Sequence, residues 1–241
     1  MGKSEAWIEK TATNSFEKVK TQFQTNLINW FKASGRDLPW RKTKNPYFIW
    51  ISEIMLQQTQ VDRVIDYFNR FTKKYPTVET LAKTSEEEGE KAWEGLGYYA
   101  RARNLVKSAQ IIVNDFNGEF PRTKDEITAL PGIGDYTAGA IMTFGLGLPA
   151  PIVDTNVERV YSRVFFLSEK WKPSEKQKVL WHLAEILLPE EEFWEYNQGI
   201  MDLGATICTA FRPLCSKCPM NKICRYHNAS SLLRFVRKEK T

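Results

Sequence analysis

The chain has 241 residues, 42% of them hydrophobic, enough to bury a sizeable core in one large domain or two smaller lobes. Its longest apolar runs, such as FIWI at 48–51, are far too short to cross a bilayer, and the opening MGKSEAWIEK lacks the apolar stretch of a secretory signal, so no membrane partner and an intracellular location are expected. The net charge of +5 is unevenly spread: from Gly204 to Thr241 eight basic residues face one acid, Glu239, while the first 203 residues hold 26 basic and 28 acidic side chains, which points to a polyanion partner for the C-terminal end, with a solubilising tail as the plain alternative.

Apolar residues recur at helical spacing along nearly the whole chain and strand-like alternation is hard to find, so the expected fold class is all-α. Gly2 does not begin a myristoylation pattern, because Ala6 stands where Ser or Thr is required. Phe16, Val19, Phe23, Leu27, Trp30 and Phe31 form one helical stripe, stopped by Gly35. A loop over 35–47 follows, with Arg36, Arg41, Lys42 and Lys44 beside Trp40, a mixture suited to a phosphate backbone or simply to solvent. In SEIMLQQTQV, residues 52–61, Glu53 interrupts an apolar run. On a continuous helix Glu53, Gln57 and Gln60 share a face while Ile51, Ile54 and Met55 point elsewhere, so Glu53 lines a polar groove with a raised pKa, or else a solvated face. A second stripe, Val61, Val64, Ile65, Phe68 and Phe71, ends at Tyr75-Pro76, and a further helix is expected at 99–116 before a loop at 116–125.

LPGIGDYTAGA, residues 130–140, reads as a helix-hairpin-helix turn in which Gly132 and Gly134 take positive φ and expose amides to a DNA phosphate. The preceding DEITAL reads as helix, which argues against a dinucleotide-binding turn; a tight interhelical turn is the bland alternative. Helices are expected at 136–146, 155–168, 174–188 and 194–207. Asp154 precedes the second of these and suits a helix N-cap, as does Thr155 with Glu158 as a capping box. All four cysteines, Cys208, Cys215, Cys218 and Cys224, fall within seventeen residues. In a reducing compartment they suit one metal centre rather than disulfides. Zinc remains open, but only 215 and 218 have knuckle spacing, so a [4Fe-4S] cluster leads, with His227 read as a surface residue.

Taken together, LPWRKTKNPYFIWISEIMLQQTQV, WEGLGYYARARNL, LPGIGDYTAGA, VDTNVERV, MDLGATIC and the cysteine segment resemble, in order, the MutY-type adenine DNA glycosylases, from about residue 24 to 227. That family sits in the helix-hairpin-helix superfamily with endonuclease III and the thymine and uracil mismatch glycosylases. The resemblance implies two helical lobes with a DNA-binding cleft between them: a six-helix barrel with the hairpin over 36–150, and a cluster lobe from 1–35 plus 151–227, followed by a basic tail at 228–241. It implies a [4Fe-4S] cluster on the four cysteines and a monomer acting on the nucleoid. The partner is double-stranded DNA with a mismatched or damaged pair, whose base is flipped out. The implied function is hydrolytic removal, in base excision repair, of adenine opposite 8-oxoguanine or guanine.

Carried over by motif position, Glu53 is the acid that protonates the adenine, Asp154 stabilises the sugar cation with Tyr136 beside it, and Asn156 orients the water or the aspartate. Gln58, Thr59, Leu96 and Tyr98 match positions that wedge into the duplex and touch the orphaned base, and Arg36, Trp40 and Arg41 match residues near the adenine pocket. Tyr136 stands where lyase-active relatives carry a lysine, so a monofunctional hydrolase is expected. Two departures stand out. Thr155 replaces a glycine, resembling endonuclease III there, although Asn156 favours the adenine type. The sequence ends seventeen residues after Cys224, where typical members append a Nudix-like domain, so a weaker preference for 8-oxoguanine over guanine is expected. The competing readings are a thymine or uracil glycosylase for G mismatches, against which the Gln57-Gln58 pair argues, and a non-catalytic binder of damaged DNA.

Overall fold

The computed structural model describes residues 3–9, 11, 13–167 and 170–229. From residue 230 onward the expected basic tail therefore lies outside the described residues. The chain divides into two compact units, one drawn from Met1–Arg36 and Pro151–Thr241, the other from Asp37–Ala150. In chain order the first unit opens with α1 (Lys3–Glu9) and α2 (Asn14–Ser34). The second holds α3 (Pro46–Leu56), α4 (Val61–Lys74), α5 (Val78–Ala82), α6 (Glu86–Ala92), α7 (Ala100–Asp115), α8 (Lys124–Thr128) and α9 (Asp135–Ala140). The first then resumes with α10 (Thr155–Val164), α11 (Pro173–Leu187) and α12 (Phe193–Asp202). No strand occurs among the described residues, so the all-helical class agrees with the expectation. None of the described helices is long and apolar enough to cross a membrane.

In the first unit, the Thr13 hydroxyl accepts from the Phe16 amide at 3.3 Å and starts α2, whose stripe Phe23, Leu27, Ile28 and Phe31 is buried. Phe23 packs against the rings of Tyr161, Phe165 and Tyr196, and the Tyr161 and Tyr196 hydroxyls satisfy each other at 3.0 Å. Gly35 does end α2, but with φ of −62° rather than in the left-handed region. Its reason is space: a Cβ there would sit 2.6 Å from the Phe31 ring.

In the second unit α3 is the central element. Tyr47, Ile49, Trp50, Ile51, Ser52, Glu53, Ile54 and Met55 are all buried, so α3 is covered on every side rather than showing one apolar face. At the very end of the preceding unit's loop and into this one, the stretch expected as an open loop at 35–47 contains a 3-10 turn, Pro39–Lys42, and the start of α3. The short helices α5, α6 and α8 each begin with a capping box, Thr77 with Thr80, Ser85 with Glu88 and Thr123 with Glu126.

Two expected helices do not run straight to their ends. The 136–146 segment is α9 followed by a π turn, Ile141–Gly145, and the 194–207 segment is α12 followed by a π turn, Leu203–Ile207. Each widened turn lets a glycine press on another backbone. A Cβ on Gly145 would stand 2.6 Å from Pro46 Cα, and one on Gly204 would stand 3.0 Å from Asn156 O. The expected 155–168 helix stops at Val164, because Phe165 closes it and Phe166 takes a φ of 56°.

Candidate active site

Within the Asp37–Ala150 unit, Glu53 lies on α3 with 5% of its surface exposed. The expected polar face with Gln57 and Gln60 does not form. The helix ends at Leu56, Gln57 is its C-cap, Gln58 turns into the left-handed region at φ 56°, and Gln60 caps the start of α4. Nor does Glu53 sit on a solvated face; it is buried because α3 is enclosed all round.

The hairpin joins α8 to α9. Gly132 has φ of +81°, as expected, but Gly134 does not: at φ −106° and ψ 180° it is extended backbone and serves as the N-cap of α9, with no side chain capping that helix. A Cβ on Gly134 would meet nothing within 4 Å, so the position is open rather than sterically demanding. The turn is held by Ser108 Oγ, which donates to Pro131 O at 3.1 Å, and by Lys124 paired with Asp135 at 2.8 Å. Tyr136 is half-buried in the first turn of α9.

The four residues matched to the wedge fall on two neighbouring turns, after α3 and before α7. Gln58 is exposed, Thr59 half-buried and Tyr98 62% exposed, whereas Leu96 is buried at 6% and serves the core. Trp40 is likewise core, 4% exposed and edge-on to Phe68 at 5.6 Å, so it does not present its ring to a phosphate backbone. Arg41 follows Trp40 in the 3-10 turn and is half-buried. One residue that sequence reading missed ties this region together: Arg101 donates to the carbonyl oxygens of Ile54, Met55, Gln57, Leu96 and Gly97 at 2.6 to 3.2 Å.

In the other unit, Asp154 is the N-cap of α10, and the alternative Thr155/Glu158 capping box is not what starts that helix. Asp154 Oδ1 accepts from the Val157 amide at 2.7 Å and Oδ2 from Asn156 Nδ2 at 2.8 Å. Both oxygens are thus aimed by the fold, and the Asn156 amide is fixed in turn because its Oδ1 accepts from Arg159 at 2.6 Å. Arg159, also missed, continues to Gly204 O and Cys208 O, each at 2.7 Å. Arg36 belongs to this unit and grips Asp202: its backbone amide donates at 2.9 Å, Nε at 2.7 Å, and Nη2 lies 2.6 Å away.

The four cysteines line one cavity of this unit with Val160, Val164, Leu203 and Ile207. They form no disulfide. His227, expected at the surface, also lines the cavity. Burial pushes the Cys218 thiol up to about 12, against a backbone hydrogen bond from Met220, and burial raises Cys224 too, against backbone bonds from His227 and Tyr226. Arg163 Nη1 lies 3.4 Å from Cys208 Sγ. Four thiols lining one cavity, with the Arg163 guanidinium beside Cys208, are a donor set whose chemistry fits a metal centre. Among the described residues no group of three or more His, Cys, Asp or Glu is placed to hold a metal ion.

A sequence profile described as HhH-GPD superfamily base excision DNA repair protein matches residues 51–186, which takes in Glu53, the hairpin and Asp154. The chain is 43% identical over 216 residues to the adenine DNA glycosylase of Rattus norvegicus, covering 86% of this chain and 42% of that protein. It spans between 39% and 63% of the length of the curated adenine DNA glycosylases it matches. Among solved structures it is similar to a thermostable thymine-DNA glycosylase, with TM-score 0.83, 36% identity, and coverage of 90% of this chain and 100% of that one. It is also similar to endonuclease III in a non-covalent DNA complex, with TM-score 0.73, 28% identity, and coverage of 88% and 98%. The profile spans more than half of the chain and both carboxylates, and with these likenesses the chain belongs to the HhH-GPD superfamily of base excision DNA repair proteins.

Proposed function

We propose that this protein is a monofunctional DNA glycosylase that removes mispaired adenine, opposite 8-oxoguanine or guanine, by hydrolysing its N-glycosidic bond. It works as an intracellular monomer on double-stranded DNA, and the likeness to adenine glycosylases and to a DNA-bound endonuclease III supports that reading. The observation that carries it is the burial of Glu53 on α3.

Adenine is a poor leaving group as an anion. In the proposed reaction the Glu53 carboxyl donates its proton to the purine ring, and the C1′–N bond breaks with its electron pair going to the now neutral base. The sugar is left as an oxocarbenium-like cation, which the Asp154 carboxylate stabilises from its fixed seat at the start of α10, with Tyr136 in support. Asn156 holds Asp154 and, through it, the approach of water; water adds to C1′ and releases a proton, leaving free adenine and an abasic site. A phenol at position 136 forms no imine with the sugar, so no strand-cleaving intermediate arises. Gly132 and Gly134 present backbone amides to a phosphate of the DNA. Cys208, Cys215, Cys218 and Cys224 hold a [4Fe-4S] cluster, which when bound supplies a structural anchor for the basic segment around it.

A second reading, excision of thymine or uracil from G mismatches, is favoured by the likeness to a thymine-DNA glycosylase along its whole length. Single-turnover assays on A:8-oxoguanine, A:G, T:G and U:G duplexes separate the two. Adenine released from the first two, with no borohydride-trapped DNA adduct, is the expected result; release confined to T:G and U:G overturns the proposal.

A further inference from the structure

Among the described residues Arg101 is the only buried cation, and its partners are neutral oxygens rather than carboxylates. Burial lowers its pKa from the ordinary arginine value, with Tyr98 acting in the opposite sense, so its placement needs a compensating reason. The geometry supplies one. Nη1 donates to Ile54 O at 2.8 Å, Met55 O at 3.1 Å and Gln57 O at 2.6 Å, three carbonyls at the negative C-terminal end of α3, two of them directly following Glu53. Nη2 donates to Leu96 O at 3.2 Å, Gly97 O at 3.1 Å and Thr59 Oγ1 at 3.4 Å.

One planar fork therefore staples two turns that are about forty residues apart in sequence. Each turn holds a non-glycine residue in the left-handed region, Gln58 at φ 56° and Tyr98 at φ 50°, a conformation that persists only where the surroundings fix it. The guanidinium carbon also lies 5.5 Å from the Tyr98 ring centroid and 5.2 Å from that of buried Trp93. The exposed Tyr98 ring is thus supported from beneath by a cation whose other hand holds the end of the Glu53 helix.

We infer that Arg101 is a positioning residue: it locks the turns at 57–59 and 96–98 into one rigid edge, so that Gln58 and Tyr98 enter a duplex as a unit in register with α3. The inference rests on the glycosylase reading for its rate measurement, and a second measurement frees it from that reading. A lysine keeps the charge but, as a single ammonium, cannot span both turns.

The test uses the full chain and its Arg101→Lys variant, with circular dichroism to establish native helix content. Two duplexes are compared, one with adenine opposite guanine and one with adenine opposite a tetrahydrofuran abasic analogue, where no partner base has to be displaced. Arg101→Lys should lose about tenfold or more in single-turnover rate on the first and stay within about threefold of wild type on the second, with Tyr98→Ala showing the same split. In a duplex carrying 2-aminopurine next to the mispaired adenine, binding of the wild type should brighten the probe and binding of Arg101→Lys should not.

Equal losses on both duplexes, or none on either, would overturn the inference. If the wild type releases no adenine at all, the functional reading fails and the 2-aminopurine signal alone decides this one: no brightening with wild type, or equal brightening with the variant, overturns it. Should Arg101→Lys not fold, Arg101→Gln takes its place, and failure of both to fold would assign Arg101 to the core instead.

Discussion

Asp202 and Arg36 show how a charged residue can be occupied by the fold rather than by a ligand. Asp202 is almost wholly buried and takes both the amide and the guanidinium of Arg36. Removing the guanidinium leaves a buried carboxylate with its main cation gone, a loss of about 3 to 5 kcal/mol for pairs of this kind. Arg36→Ala should therefore lower the unfolding free energy by about 3 kcal/mol in urea titrations; a change below about 1 kcal/mol would show the pair to be exposed in solution. In sequence Arg36 sits in a cluster of cations and looks like a phosphate contact, because its partner lies 166 residues away. Arg101 was illegible for the same reason: the carbonyls it holds at Ile54, Met55 and Gln57 are 47, 46 and 44 residues earlier. Glu53 could be singled out because a carboxylate inside Ile, Met and Leu is conspicuous, yet the helical-wheel argument for its setting failed when the helix stopped at Leu56.

At the scale of elements, the long helices were legible from their stripes, and the boundaries of α7 and α11 lie within one residue of those expected. Short α5, α6 and α8 carry their capping boxes openly in the sequence, although five to seven residues are too few to show a stripe. The π turns after α9 and α12 had no such signal, since they follow from what each helix end packs against. Gly145 is the clearest case, because the contact it permits with Pro46 sets α3 on the π turn after α9. Gly145→Ala would force backbone against backbone, and should destabilise the protein by about 1 to 3 kcal/mol, as overpacked sites do. A melting temperature unchanged within error would mean that the π turn yields without cost and does not fix α3.

For the whole molecule, the proposed reaction uses two acids, Glu53 and Asp154. The sequence motifs singled out both carboxylates as candidates; the hydrogen bonds that aim Asp154 were visible only as an N-cap reading, and the cysteine cavity only as a spacing pattern. If both acids serve one transition state, their losses do not add. The decisive measurement is the single-turnover rate on an A:G duplex for Glu53→Gln, Asp154→Asn and the double variant, at protein concentrations that keep the DNA bound. Each single variant should lose about a hundredfold to a thousandfold, and the double variant little more than the slower single one. A Glu53→Gln enzyme as fast as wild type would contradict the account at its centre.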